Sequence, residues 1–174
     1  MRVKSAFALV GAFLACLGAL AATPISAARP VTSVTVSFDD MGTWTGFHDM
    51  DRLFFKSDGV IFASDYVVGF SNGHAVLDAS FNTPPFTIAG SFSRRVKSVS
   101  ASIRVGEQGT SDFTIVAYSQ SGRVVGSGRI TLTQNGLDGK FYDVTADGLS
   151  SNAKSFSIVG RIGYGVKSIT YTYQ

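Results

Sequence analysis

The chain is poor in the residues that usually carry chemistry. It has one cysteine, one tryptophan, two histidines and four prolines in 174 residues. A lone Cys16 excludes an intrachain disulfide, and a zinc site built from several Cys and His ligands is excluded with it. Charged residues make up only 16% of the chain. With Arg2 and Lys4 set aside, 13 basic residues face 12 acidic ones. That near-neutral balance gives no electrostatic footprint for nucleic acid. No stretch beyond residue 30 sustains an apolar repeat of 3.6, so no amphipathic helix is expected there.

The one long apolar run lies at the N-terminus. Arg2 and Lys4 are followed by apolar residues from Ala6 to Ala22, and small residues then cluster up to Ser26-Ala27-Ala28. A cationic start, an apolar core and a small-residue exit are the layout of a helical secretory signal peptide. Residues 1–28 are therefore read as a signal and residues 29–174 as one domain, with cleavage leaving Arg29-Pro30 at the start. Rich in Ala and Gly, the run is a weak candidate for a retained membrane span. Cys16 falls inside it. The exported domain then has no cysteine and must hold its fold by core packing alone.

What remains is rich in Ser, Thr, Gly and β-branched residues, which suit pleated, half-buried surfaces. Val34 to Phe38 alternates with period two, and Val96 to Val105 reads V-K-S-V-S-A-S-I-R-V as one half-buried strand. Phe113, Ile115 and Ala117 alternate with Thr114, Val116 and Tyr118. Turn signals at Ser57-Asp58-Gly59, Ser119 to Gly122, Asn135-Gly136 and Asp138-Gly139 separate the runs, and Pro84-Pro85 marks a loop or a strand edge. About eight or nine short strands imply an all-β, antiparallel sandwich.

The order of three segments resembles a known kind of module. They are Ser37-Phe38-Asp39-Asp40 with Gly59-Val60-Ile61-Phe62, then Val96 to Ser100 leading to Thr114 to Gly126, and last Phe156 to Gly160 with Gly165 to Tyr171. Together they resemble the secreted bacterial jelly-roll modules of the galactose-binding-like type, found in PEP-CTERM-type surface proteins. The resemblance covers nearly all of residues 29–174 and implies a jelly-roll-like β-sandwich. No apolar sorting tail follows the last strand, so surface anchoring is not implied. In related carbohydrate-binding modules an early acidic residue and one on the last strand help hold a structural calcium. Here Asp39 and Asp40 are the corresponding weak calcium candidates, but Lys167 stands at the later position and opposes a cation. No cofactor is therefore expected, and Lys167 is expected to pair with Asp39 or Asp40 instead.

Several motifs invite a chemical reading. Gly69-Phe70-Ser71-Asn72-Gly73 matches G-x-S-x-G literally, but a nucleophile elbow needs a strand-to-helix turn and a later histidine. The only histidine after it is His74, so a polar turn is expected. His48-Asp49-Met50-Asp51 has metal-ligand residue types without a metal-ligand spacing, and a solvated loop is expected. A glycan-active enzyme would need two carboxylates across a cleft. Asp49 or Asp51 with Asp65 or Asp78 is conceivable, yet no spacing singles them out. Sugar binding needs exposed aromatic faces instead. Trp44, Phe47, Tyr66 and Phe70 lie near loops and, with His48, form the candidate ligand-binding set. The expected protein is secreted, periplasmic or extracellular, and not an enzyme. Its expected ligand is a carbohydrate or cell-envelope glycan, with no nucleic-acid partner. A structural or adhesive envelope protein is the alternative.

Overall fold

In the computed structural model the described residues are 30–42, 46–71, 73–80, 84–134, 139–150 and 152–173. Residues 1–28, read from the sequence as a signal, and Trp44 lie outside them. Among the described residues twelve strands form an antiparallel β-sandwich of jelly-roll type, joined by turns and one 3-10 turn, Phe38–Met41. No helix among the described residues is long and apolar enough to cross a membrane.

The larger sheet holds β1 (Thr32–Ser37), β2 (His48–Met50), β4 (Tyr66–Ser71), β5 (His74–Asp78), β7 (Ser98–Val105), β10 (Tyr142–Ala146) and β12 (Tyr164–Tyr173). Its order is β10-β7-β12-β5-β4-β2. β12 pairs with β7 along one edge. Its other edge is divided, with Gly165 and Val166 pairing to β5 and Ser168 to Tyr173 pairing to β1. The smaller sheet runs β3 (Val60–Phe62), β6 (Phe86–Val96), β11 (Ala153–Gly160), β8 (Gly109–Tyr118) and β9 (Val124–Gln134).

Period-two alternation places one face of every long strand in the core. Val99, Ala101, Ile103 and Val105 on β7 face Phe113, Ile115 and Ala117 on β8, all buried. Aromatic rings fill the widest part. Phe156 lies 5.2 Å from Phe92 and 6.4 Å from Phe62, and Phe38 meets Phe55 edge-on at 5.4 Å. Each such ring removed from water contributes about 1.5–3 kcal/mol. Tyr164 is buried with them, and its hydroxyl donates to the Ile158 carbonyl at 2.7 Å. Burial pushes the phenol well above its ordinary range.

The stretch read as one strand over Val96 to Val105 is in fact two. Val96 ends β6 and Ser98 opens β7, with Lys97 carrying the chain from one sheet to the other. The Lys97 N–H donates to Thr172 O at 2.7 Å, so a tertiary bond holds the corner that no Gly or Pro announces. His48 to Met50 forms an edge strand rather than a loop, pairing with Tyr66 to Val68. The G-x-S-x-G stretch is a hairpin, as Ser71 pairs with His74 and Gly73 takes φ +78°. Pro84-Pro85 lies immediately ahead of β6.

Candidate functional site

The outer face of the larger sheet carries a cleft of about 310 Å³ over β4, β5, β12 and β7. Its floor exists because two residues lack side chains. A Cβ on Gly69 would stand 2.8 Å from Cε1 of Phe47, and one on Gly165 would stand 3.0 Å from Val76 Cγ2. Phe47, just ahead of β2, therefore lays its ring over Gly69 while remaining 61% exposed. Phe70 borders the cleft at the end of β4 and is 44% exposed. Polar groups complete the lining: Asp78 at the end of β5, beside Phe47 at Gly69, Ser80 after β5, Arg104 on β7, and Glu107 in the loop beyond it. Gly163 permits their approach, since a Cβ there would meet Ser80 Cβ at 2.9 Å and Glu107 Oε1 at 3.1 Å.

The sequence-derived candidates divide across this geometry. Phe47 and Phe70 line the cleft. Tyr66 does not: it is 8% exposed on the core face of β4, 5.9 Å from Phe62, and its hydroxyl accepts the Ala89 N–H at 3.0 Å. Strand alternation turns it inward, so it presents no face to a ligand. His48 is exposed on edge strand β2, outside the set lining the cleft. Three of the carboxylates weighed for glycan cleavage each accept a backbone N–H. Asp51 accepts Leu53 N–H, Asp65 accepts Arg52 N–H, and Asp78 accepts the N–H of Ser80. Arg104 and Glu107 were missed as site residues. Arg104 had one legible sign. The outward positions of β7 read Ser98, Ser100, Ser102 and then Arg104, a single cation ending a row of small side chains.

No protein-family model matches this chain, and no curated protein matches its sequence. Solved structures do resemble it in fold. It is similar to a family 6 carbohydrate-binding module of Clostridium stercorarium solved with cellobiose, at 12% identity and a TM-score of 0.40. That likeness covers 80% of this chain and 93% of that one. It is similar to a mutant of a family 29 carbohydrate-binding module at 9% identity and a TM-score of 0.44, covering 82% and 86%. A DUF4465 family protein from Bacteroides caccae is similar at 13% identity and 0.39, covering 83% and 82%. Scores this low leave the site to be judged on its own residues.

A second polar cluster replaces the direct pairing expected of Lys167. Asp39 sits in the 3-10 turn after β1, and both its oxygens are engaged at the start of β5. Oδ1 accepts Ala75 N–H at 2.8 Å, and Oδ2 lies 2.9 Å from His74 Nδ1. Lys167 Nζ then approaches His74 Nε2 at 3.4 Å and lies 5.5 Å from the Phe141 ring. Neither Asp39 nor Asp40 pairs with Lys167; a histidine stands between. The reason is local. Lys167 is the extra residue where the β12 register shifts between Val166 and Ser168, at the point where the partner strand changes from β5 to β1. The bulge directs its side chain to His74 at the start of β5. Asp40 is exposed. Among the described residues no group of three or more His, Cys, Asp or Glu side chains is placed to hold a metal.

Burial alone would raise the Asp39 carboxyl. The hydrogen bonds from His74 and Ala75, with the charges of His74 and Lys167, outweigh it and hold the group below its ordinary value. A lowered folded value favours folding above the unfolded value, and that contribution disappears as pH falls through the folded one. The carboxylate is 36% exposed, so the gain is small, about 0.5–1 kcal/mol after screening. Denaturant midpoints of the unmodified protein and Asp39→Asn should therefore differ at about pH 6 and converge towards about pH 2. An undiminished gap at the acid end would show that Asp39 acts through something other than its charge.

Proposed function

We propose that this chain is a secreted, non-enzymatic β-sandwich module that binds carbohydrate in the cleft above Gly69 and Gly165. One observation carries the reading: an exposed aromatic ring, Phe47, lies on Gly69 and borders the same cleft as the polar groups Asp78, Ser80, Arg104 and Glu107. Sugar rings match that arrangement. Their C–H faces are apolar and pack on an aromatic surface, while their hydroxyls exchange hydrogen bonds with groups such as Asp78 and Ser80. A volume of about 310 Å³ is at the small end for ligand sites, which run from about 300 Å³. That suits one or two units of a longer glycan. Secretion rests on residues 1–28.

A glycan array probed with the exported protein tests the reading. The unmodified protein should bind a defined set of oligosaccharides, and Phe47→Ala should weaken that binding about tenfold, the usual order for loss of a central aromatic contact. The melting temperature should hardly change, because the ring is largely outside the core. Equal binding by both proteins would remove the cleft from consideration.

A further inference from the structure

Arg104 occupies an outward position on β7, opposite Gly165 of β12, so its side chain rises into the cleft. It is nevertheless only 9% exposed, and its Nη1 is screened from solvent with no hydrogen-bond partner. A guanidinium remains charged at physiological pH and offers its donors in a planar fork. Withdrawing such a group from water without an anion is unfavourable, and folded proteins normally pair it. Asp78 and Glu107 line the same cleft, yet neither forms an ion pair with Arg104 among the described residues. Asp78 directs Oδ1 to the backbone N–H and hydroxyl of its own turn residue Ser80 instead.

Building on the carbohydrate reading above, we infer that the cleft selects sugars bearing a carboxylate, the uronic acids. Arg104 anchors the carboxylate and Phe47 receives the ring face. Gly69 lets the Phe47 ring lie close to the sheet, on the border of the same cleft as a cation that is itself short of an acceptor. A carboxylate presents two coplanar oxygens to the planar fork, the geometry in which this pair is strongest. Asp78 and Glu107 both oppose an anion, but Asp78 has Oδ1 engaged by Ser80 and Glu107 is exposed, so hydrogen bonds, water and salt weaken their repulsion. Arg104 is shielded from the same solvent, and its attraction is screened less. Attraction therefore outweighs repulsion, and Glu107 lowers affinity without reversing the preference.

The test compares each uronate oligosaccharide with its own methyl ester, which keeps the sugar and removes the charge. Oligomers of glucuronate, galacturonate and mannuronate in both forms, neutral cello-oligosaccharides and sulfated oligosaccharides are titrated into the exported protein by calorimetry. At least one acid form should bind about tenfold or more tighter than its ester, as expected for a charge-assisted hydrogen bond. Arg104→Gln should abolish that preference, and Arg104→Lys should retain part of it. Glu107→Gln, at an exposed position, gives a reading that does not depend on Arg104 variants folding. It should tighten the acid form about twofold and leave the ester unchanged. If esters or neutral sugars bind as well as the acids, the uronate assignment is wrong and the carbohydrate reading survives. Preference for sulfated sugars would also overturn the assignment. Binding of none of these sugars would overturn both.

Discussion

Gly128→Ala should be severely destabilising, although it adds one methyl group to a partly buried strand residue. Gly128 lies on β9, the edge of the smaller sheet, where that edge meets β10 of the larger one. A Cβ there would stand 1.7 Å from the Thr145 carbonyl oxygen and 2.5 Å from its carbon. Both are backbone atoms in a paired strand, with Thr145 opposite Ser100 on β7. Neither can give way without moving the strand, so the two sheets must separate at that side. The cost should be about 3 kcal/mol or more, the upper end for overpacking, and the melting temperature should fall by about 10 °C. Gly126→Ala supplies the contrast. Its closest obstacle is the tip of the Leu149 side chain, at 2.3 Å, which can swing aside. A milder loss at 126 and a severe one at 128 is the expected result. Equal and small losses would mean that the two edges do not meet as closely as described.

Phe156→Ala should be comparably damaging, for the opposite reason. The ring is 1% exposed and lies over Gly90, where a Cβ would come within 2.9 Å of it. It also meets Phe92 and Phe62. Removing it leaves a ring-sized void among groups fixed on the paired strands β3 and β6, which cannot collapse without strain. Truncations of this kind cost about 3–5 kcal/mol, a large share of a domain stability of about 5–15 kcal/mol. Phe156→Leu keeps most of the volume and should cost much less. Urea unfolding of the three proteins checks the order. Similar midpoints for Ala and Leu would show that the cluster is looser than its ring distances indicate.

Some of the candidate site was legible in the sequence, and its limits have a physical cause. Phe47 and Phe70 stood out because large apolar residues beside turn signals have no core position assigned to them. Tyr66 looked the same, but it is covered in the core against Phe62, whereas Phe70, on the same face of β4 near the strand's end, is left 44% exposed. Arg104 is the converse. Alternation marks it as a solvent-facing residue, and no local pattern indicates that the cleft around it leaves it nearly buried. The charge cluster was anticipated in its members Asp39 and Lys167. Insertion of His74 between them depends on a bulge, which shifts one strand by a residue and leaves no mark in composition.

The sequence by itself determined that this is a β-sandwich. Period-two alternation in stretches such as Phe113 to Ala117, the absence of a helical period and the spacing of turn residues are local properties, and they fix each strand and its buried face. Partner choice was decided only by the tertiary structure. The chain changes sheets at Lys97 because a bond to Thr172 secures it there, and β12 joins β7, β5 and β1 through contacts far apart in sequence. The cleft arises at that junction. Gly69, Val76, Arg104 and Gly165 become neighbours through the register of four strands, and register is set by how two faces pack, which no single strand encodes.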